Sequence, residues 1–228
     1  MDHSKLQQTL RYTFKNPLLL EEALRHSSFV NEQADPNVRD NERLEFLGDA
    51  VLNLVIGYLL MQAYPQMREG DLSRLRANMV NETQLAEIAR GLDLGANLLL
   101  GKGEIQSNGQ EKNSLLANAL EAVIAAIFLD DGFEAAAQTI KWHFNRLVQA
   151  APELIAGQDY KSRLQETVQS TIKEIPQYRV VEESGPDHEK TFKVVMTVGS
   201  IQTHGMGRSK KAAEQEAARK GIELFENK

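Results

Sequence analysis

Apolar residues recur at helical spacing through the first two-thirds of the chain, and at strand spacing only near its end. Phe14 to Phe29 reads as a helix with Pro17 near its start, where a missing N–H costs little. Asp35-Pro36-Asn37 reads as a loop. Asp40 or Asn41 can cap a long helix that runs to about Tyr64 and is ended by Pro65. Leu44, Leu47, Val51, Leu54, Val55 and Tyr58 form the stripe of that helix expected to pack inward. Asp71 can cap a further helix. Asn81, with Gln84 three residues on, makes a capping-box-like start for another that stops by Gly91 or Gly95. Gly101 to Asn113 is polar and glycine-bearing and reads as a mobile loop. Ser114 to Leu129 is an apolar, alanine-rich helix and Phe133 to Val148 a last one, with no strand pattern before residue 175.

The texture then changes. Tyr160 to Lys173 reads as a helix; Tyr178 to Glu182 and Thr191 to Val198 read as strands around a Gly185-Pro186 turn. Ile201 to Met206 supplies a third strand and Ser209 to Phe225 a helix. The pattern predicts an all-α N-terminal domain over residues 1–150, a linker over 151–158, and an α+β domain of order α-β-β-β-α over 159–228. No repeat or low-complexity tract interrupts it.

The charge balance supports the division. The whole chain is at −6, but residues 1–157 hold 14 Lys/Arg against 21 Asp/Glu, and residues 158–228 hold 12 against 11. A net acidic chain therefore leaves room for a local basic patch, which is what phosphate binding needs. With no cysteine, disulfides and thiolate metal sites are excluded. No secretory signal follows Met1, and the longest apolar run, Ala50 to Met61, is shorter than the roughly 20 residues of a bilayer span. The default expectation is a cytoplasmic protein with no membrane partner.

The chemistry concentrates in Asn41-Glu-Arg-Leu-Glu-Phe-Leu-Gly-Asp-Ala-Val-Leu, where Glu42, Glu45 and Asp49 share a helical face. Like charges at this spacing repel, and desolvation beside an apolar stripe adds to the cost, so a positive partner is expected: Arg43 or a bound cation. In Leu115-Leu-Ala-Asn-Ala-Leu-Glu-Ala-Val-Ile-Ala-Ala, Glu121 is the one charge of a long apolar run, with Asn118 one turn before it. If the two helices face each other, Glu45, Asp49, Asn118 and Glu121 make an all-oxygen cluster suited to Mg²⁺ or Mn²⁺ rather than zinc. Spacing alone goes no further, because such a pattern is more often a solvated helix face.

The same string resembles the signature of the ribonuclease III family residue for residue. The likeness extends to Arg68-Glu-Gly-Asp-Leu-Ser-Arg-Leu-Arg-Ala, to Leu85-Ala-Glu-Ile-Ala, and to Leu116-Ala-Asn-Ala-Leu-Glu-Ala-Val-Ile-Ala-Ala-Ile-Phe-Leu-Asp. The resemblance implies a magnesium-dependent endonuclease of double-stranded RNA, working as a homodimer with a staggered cut, in the processing of ribosomal and other RNA precursors. It maps catalytic roles onto Asp49 and Glu121 and metal ligation onto Glu45, Asn118 and Glu121, with Mn²⁺ able to substitute. Glu42 and Glu69 match acidic family positions near the site, and Phe46 would lie near the dimer interface. One position departs: where the family usually has Asp, this chain has Asn118. An amide keeps an oxygen but loses a charge, which leaves an alternative reading, a duplex-binding protein with impaired cleavage.

The second domain fits a duplex-RNA partner. Sequence-blind recognition needs contacts to two minor grooves and the phosphates between them. Ser162, Gln165, Glu166 and Gln169 place polar groups on one helical face, and His188 sits in the Gly185-Pro-Asp-His loop. In Gly205-Met-Gly-Arg-Ser-Lys-Lys-Ala-Ala-Glu, Ser209 can cap the last helix, with Arg208, Lys210 and Lys211 at its positive end. Each feature alone is ordinary surface; the joint arrangement resembles the double-stranded-RNA-binding domain.

Overall fold

A computed structural model describes residues 3–151, 160–186 and 190–226. Its contacts divide the chain into two units, Met1–Ala151 and Pro152–Lys228. The first is helical: α1 (Ser4–Leu10), α2 (Pro17–Ala23), α3 (Ser27–Val30), α4 (Glu42–Ala63), α5 (Glu69–Met79), α6 (Glu82–Gly91), α7 (Lys102–Gln106) and α8 (Asn113–Gln149).

The centre of this unit is the pairing of α4 with α8, and α2 and α6 also pack on α8. Leu44, Val51, Leu52, Val55, Ile56 and Leu60 bury one side of α4. This corrects the inward stripe in part. Leu54 is 61% exposed and Tyr58 49%, while Leu52, Ile56 and Leu60 take the buried positions. The helix is apolar on two sides, so period alone did not say which faced the core. Another expectation changes as well: over its whole length α4 is long and apolar enough to cross a bilayer by length and composition. Here it is the packed central helix of the unit.

What lets α4 and α8 meet so closely is Gly48. A Cβ there would stand 1.8 Å from the Glu121 carbonyl oxygen, so only glycine fits the crossing. On the α8 side, Ala117, Ala119, Ala122, Ala125 and Ala126 are buried, and their small side chains bring the backbones together. Gly132, at φ 81°, interrupts α8 where the sequence separates two helices.

Other boundaries shift for identifiable reasons. The expected helix over Phe14 to Phe29 divides into α2 and α3. Between them the backbone leaves the helix to pair with Leu99, whose N–H donates to Leu24 O at 2.8 Å and whose carbonyl accepts from His26 N at 3.0 Å. The expected loop over Gly101 to Asn113 contains α7 and a 3₁₀ turn at Gly109–Glu111, drawn together by a 2.7 Å ion pair between Lys112 and Glu104. Asp71 lies inside the first turn of α5, whose cap position is Arg68. Asn81 does cap α6, accepting from Gln84 N at 2.9 Å.

The second unit has α9 (Tyr160–Thr171), β1 (Gln177–Ser184), β2 (Thr191–Val198), β3 (Ile201–Gly207) and α10 (Lys210–Glu226). The strands form one antiparallel sheet in the order β1-β2-β3, with a bulge between Val180 and Glu182. Three strands need an apolar partner layer. Leu164 and Val168 of α9 and Ala217, Ala218 and Ile222 of α10 supply it, closing over Met196, Val198 and Ile201. The fold is therefore all-α followed by α-β-β-β-α, as the pattern predicts. The expected linker lies almost wholly outside the described residues.

Candidate active site and RNA-facing surface

A cleft of about 630 Å³ opens at the α4–α8 crossing. Glu42, Glu45 and Asp49 enter it from α4, and Asn118 and Glu121 from α8. The Gly48 contact explains the meeting. Glu45 lies about one turn before the glycine and Asp49 directly after it, and the backbone the glycine touches is that of Glu121 itself. The structure thus gathers the cluster expected from sequence. Glu69 is placed apart from it: it lies on α5, accepts from Ser73 Oγ at 2.8 Å, and does not line this cleft.

The electrostatics are those of uncompensated negative charge. Burial, then Asp49, then Glu45 push the Glu121 carboxyl from 4.5 to about 7. Burial and the neighbouring Glu42 raise Glu45, while a hydrogen bond from the Asn118 amide opposes the rise. Asp49 is held on its own helix, accepting from Asn53 Nδ2 at 2.8 Å. Among the described residues no three Asp, Glu or His side chains converge as a ready-made ligand set. The donors that face the cleft are nonetheless carboxylate and amide oxygens, the set a hard divalent cation takes.

Two lining residues are not singled out in the sequence, His26 and Ser27, and a third, Asn41, is expected there only as a helix cap. Asn41 is 4% exposed and works as a clamp. Its Nδ2 donates to Ala23 O at 3.1 Å, and its backbone N–H to Arg25 O at 2.9 Å. It opens the signature string, which was the available signal. His26 and Ser27 had none, because they sit at the break between two helices that the pattern ran together.

In the second unit, Gln165, Glu166 and Gln169 are exposed on α9, and Ser162 is half-buried. Arg208, Ser209, Lys210 and Lys211 are exposed around the start of α10. Ser209 Oγ accepts from Ala212 N at 3.1 Å and caps the helix. The glycines of this motif serve packing: a Cβ at Gly205 would stand 2.0 Å from Ala213 O, so β3 presses directly on α10. Lys210 is engaged within the unit, 2.9 Å from Glu183 and above the Phe192 ring. His188 lies outside the described residues.

The comparisons with known proteins bear on both units. Residues 16–147 match the family model described as ribonuclease-III-like, and residues 160–224 match that of the double-stranded RNA binding motif. The chain belongs to the ribonuclease III family. Among curated relatives, it is 44% identical over 222 residues to Ribonuclease 3 of Syntrophotalea carbinolica, covering 97% of this chain and 96% of that one. It is 46% identical over 222 residues to Ribonuclease 3 of Myxococcus xanthus, covering 96% and 84%. Among solved structures, it resembles the nuclease domain of ribonuclease III from Campylobacter jejuni. That match has a TM-score of 0.58 and 45% identity, over 66% of this chain and 98% of that one. Ribonuclease III likeness therefore covers the cleft-bearing unit and the duplex-RNA module alike.

Proposed function

We propose that this ribonuclease III family member hydrolyses phosphodiester bonds of double-stranded RNA at the α4–α8 cleft, with Mg²⁺ as cofactor and Mn²⁺ as a substitute. The observation that carries the reading is Glu121. A carboxyl pushed to about 7 by burial and by two other carboxylates marks a site short of positive charge. Glu45, Asn118 and Glu121 would hold the cation through oxygen, and Asp49 completes the acidic rim. When bound, such an ion neutralises charge at the scissile phosphate and makes water a better nucleophile. The chain's own part is to hold these groups rigidly at a helix crossing and to bring duplex to them through the second unit.

The cut is proposed to be staggered and made by a homodimer. Phe46, Leu54, Tyr58 and Met61 leave the outward side of α4 apolar and exposed, with Phe46 at 81%, and such a surface favours a partner. The Campylobacter jejuni structure is described as bearing on dimer formation of its nuclease domain. Precursors of ribosomal and other RNAs are the proposed substrates, on family likeness.

The test is incubation of the full chain with a long RNA duplex, or with either strand alone, in Mg²⁺ or in chelator. Cleavage of the duplex only, and only with the divalent ion, is expected. Binding without cleavage in Mg²⁺ would favour a non-cutting duplex binder, and equal cleavage of single strands would overturn the assignment.

A further inference from the structure

His26 shares the cleft with the carboxylates, and its surroundings fix what it can do there. Its Nδ1 accepts from Ser28 N at 3.3 Å and lies 2.8 Å from Ser28 Oγ. An amide nitrogen only donates, so Nδ1 carries the lone pair and the ring proton sits on Nε2. Ser28 Oγ is itself held, accepting from Gly101 N at 2.9 Å, which leaves its own proton for Nδ1. The backbone is clamped on both sides. His26 N donates to Leu99 O at 3.0 Å, and the preceding carbonyl accepts from Asn41 N, at the foot of α4, at 2.9 Å. Ser28 does not line the cleft and His26 does, so the free edge of the ring is the Nε2–H edge.

This gives an N–H donor in a wall that carries four carboxylates. A metal ligand must offer a lone pair, which Nε2–H does not. A phosphate oxygen has the opposite need: beside the carboxylates of Glu42, Glu45, Asp49 and Glu121 it is repelled, and a fixed N–H is what offsets that locally. We propose that His26 is a further substrate-contacting residue, donating from Nε2 to a non-bridging oxygen of the scissile phosphate, with Ser28 as its positioning residue. The proposal rests on the cleft being the site of cleavage.

The experiment uses the full chain and His26→Ala, His26→Gln and Ser28→Ala. Single-turnover cleavage is measured at saturating duplex, on RNA with oxygen or with sulfur at each non-bridging position of the scissile phosphate. Removing one preorganised donor costs roughly 10²–10³-fold in rate. His26→Ala is expected in that range, at unchanged Mg²⁺ midpoint and with duplex affinity within about threefold. Gln keeps an N–H and should recover part of the loss, and Ser28→Ala should lie between the parent and His26→Ala. The decisive readout is coupling: one sulfur substitution slows the parent but adds little to His26→Ala. Equal sulfur effects in both proteins, a shifted Mg²⁺ midpoint, or an unchanged rate in His26→Ala would overturn the proposal. Melting temperatures of all variants show whether a loss is one of fold. Failure of the parent to cut duplex would instead remove the nuclease reading and this proposal with it, whereas an active parent with an equally active His26→Ala removes this proposal alone.

Discussion

At the scale of single residues, the cleft is governed by negative charge, with no Lys or Arg among its described lining residues. Glu121 binds its proton more tightly folded, at about 7, than at its ordinary 4.5. A carboxyl raised on folding favours the native state fully below the lower value, and that contribution is lost as pH rises through the higher one. In chelator, the stability of the parent relative to Glu121→Gln should therefore decline between about pH 5 and 8. Thermal melting should show Glu121→Gln gaining roughly 2–4 °C over that interval, on the order of 1 kcal/mol for a partly screened group. Parallel curves would mean Glu121 is not strained. Asn118 adjusts the same balance, because its amide donates to Glu45. Asn118→Asp exchanges that donor for a charge at almost no steric cost, and hard cations respond strongly to ligand charge. A Mg²⁺ titration of cleavage should show a lower midpoint, a higher rate, or both; superimposable curves would remove residue 118 from the ligand set.

At the scale of elements, function depends on where two helices cross and where one begins. The crossing was half legible. The acids of α4 and the lone charge of α8 stand out in sequence, and both line the one cleft. The inward face of α4 was misread because Leu54 and Tyr58 are as apolar as Leu52 and Ile56, and burial depends on a neighbour the local pattern does not show. His26 was invisible for a related reason: its place is set by backbone pairing with Leu99, a contact across more than seventy residues. The start of α10 was read correctly, since Ser209, Lys210 and Lys211 form a local cap-and-charge pattern. What sequence could not show is that Glu183 already holds Lys210. Lys210→Ala with Lys211→Ala should weaken duplex binding roughly tenfold or more and flatten its salt dependence. Glu183→Gln, by freeing Lys210, should strengthen binding a few-fold. Filter binding across a salt series measures both, and unchanged affinity in the double variant would remove these lysines from the RNA face.

At the scale of the whole molecule, binding and cutting are assigned to different units. The helical unit holds the carboxylates, and the α-β-β-β-α unit holds the lysines and the α9 polar face. This division of labour yields the sharpest expectation. Glu121→Gln removes one negative charge from the cleft at nearly constant shape and leaves every residue of the second unit unchanged. Cleavage and duplex binding should then separate. The measurement is a single-turnover assay on one long duplex in Mg²⁺, with binding of the same duplex followed in parallel for the parent and Glu121→Gln. Cleavage lost by about 10³-fold or more, with affinity within a few-fold of the parent, is the expected result. Cleavage by Glu121→Gln at the parental rate would contradict the assignment of the α4–α8 cleft as the place where RNA is cut.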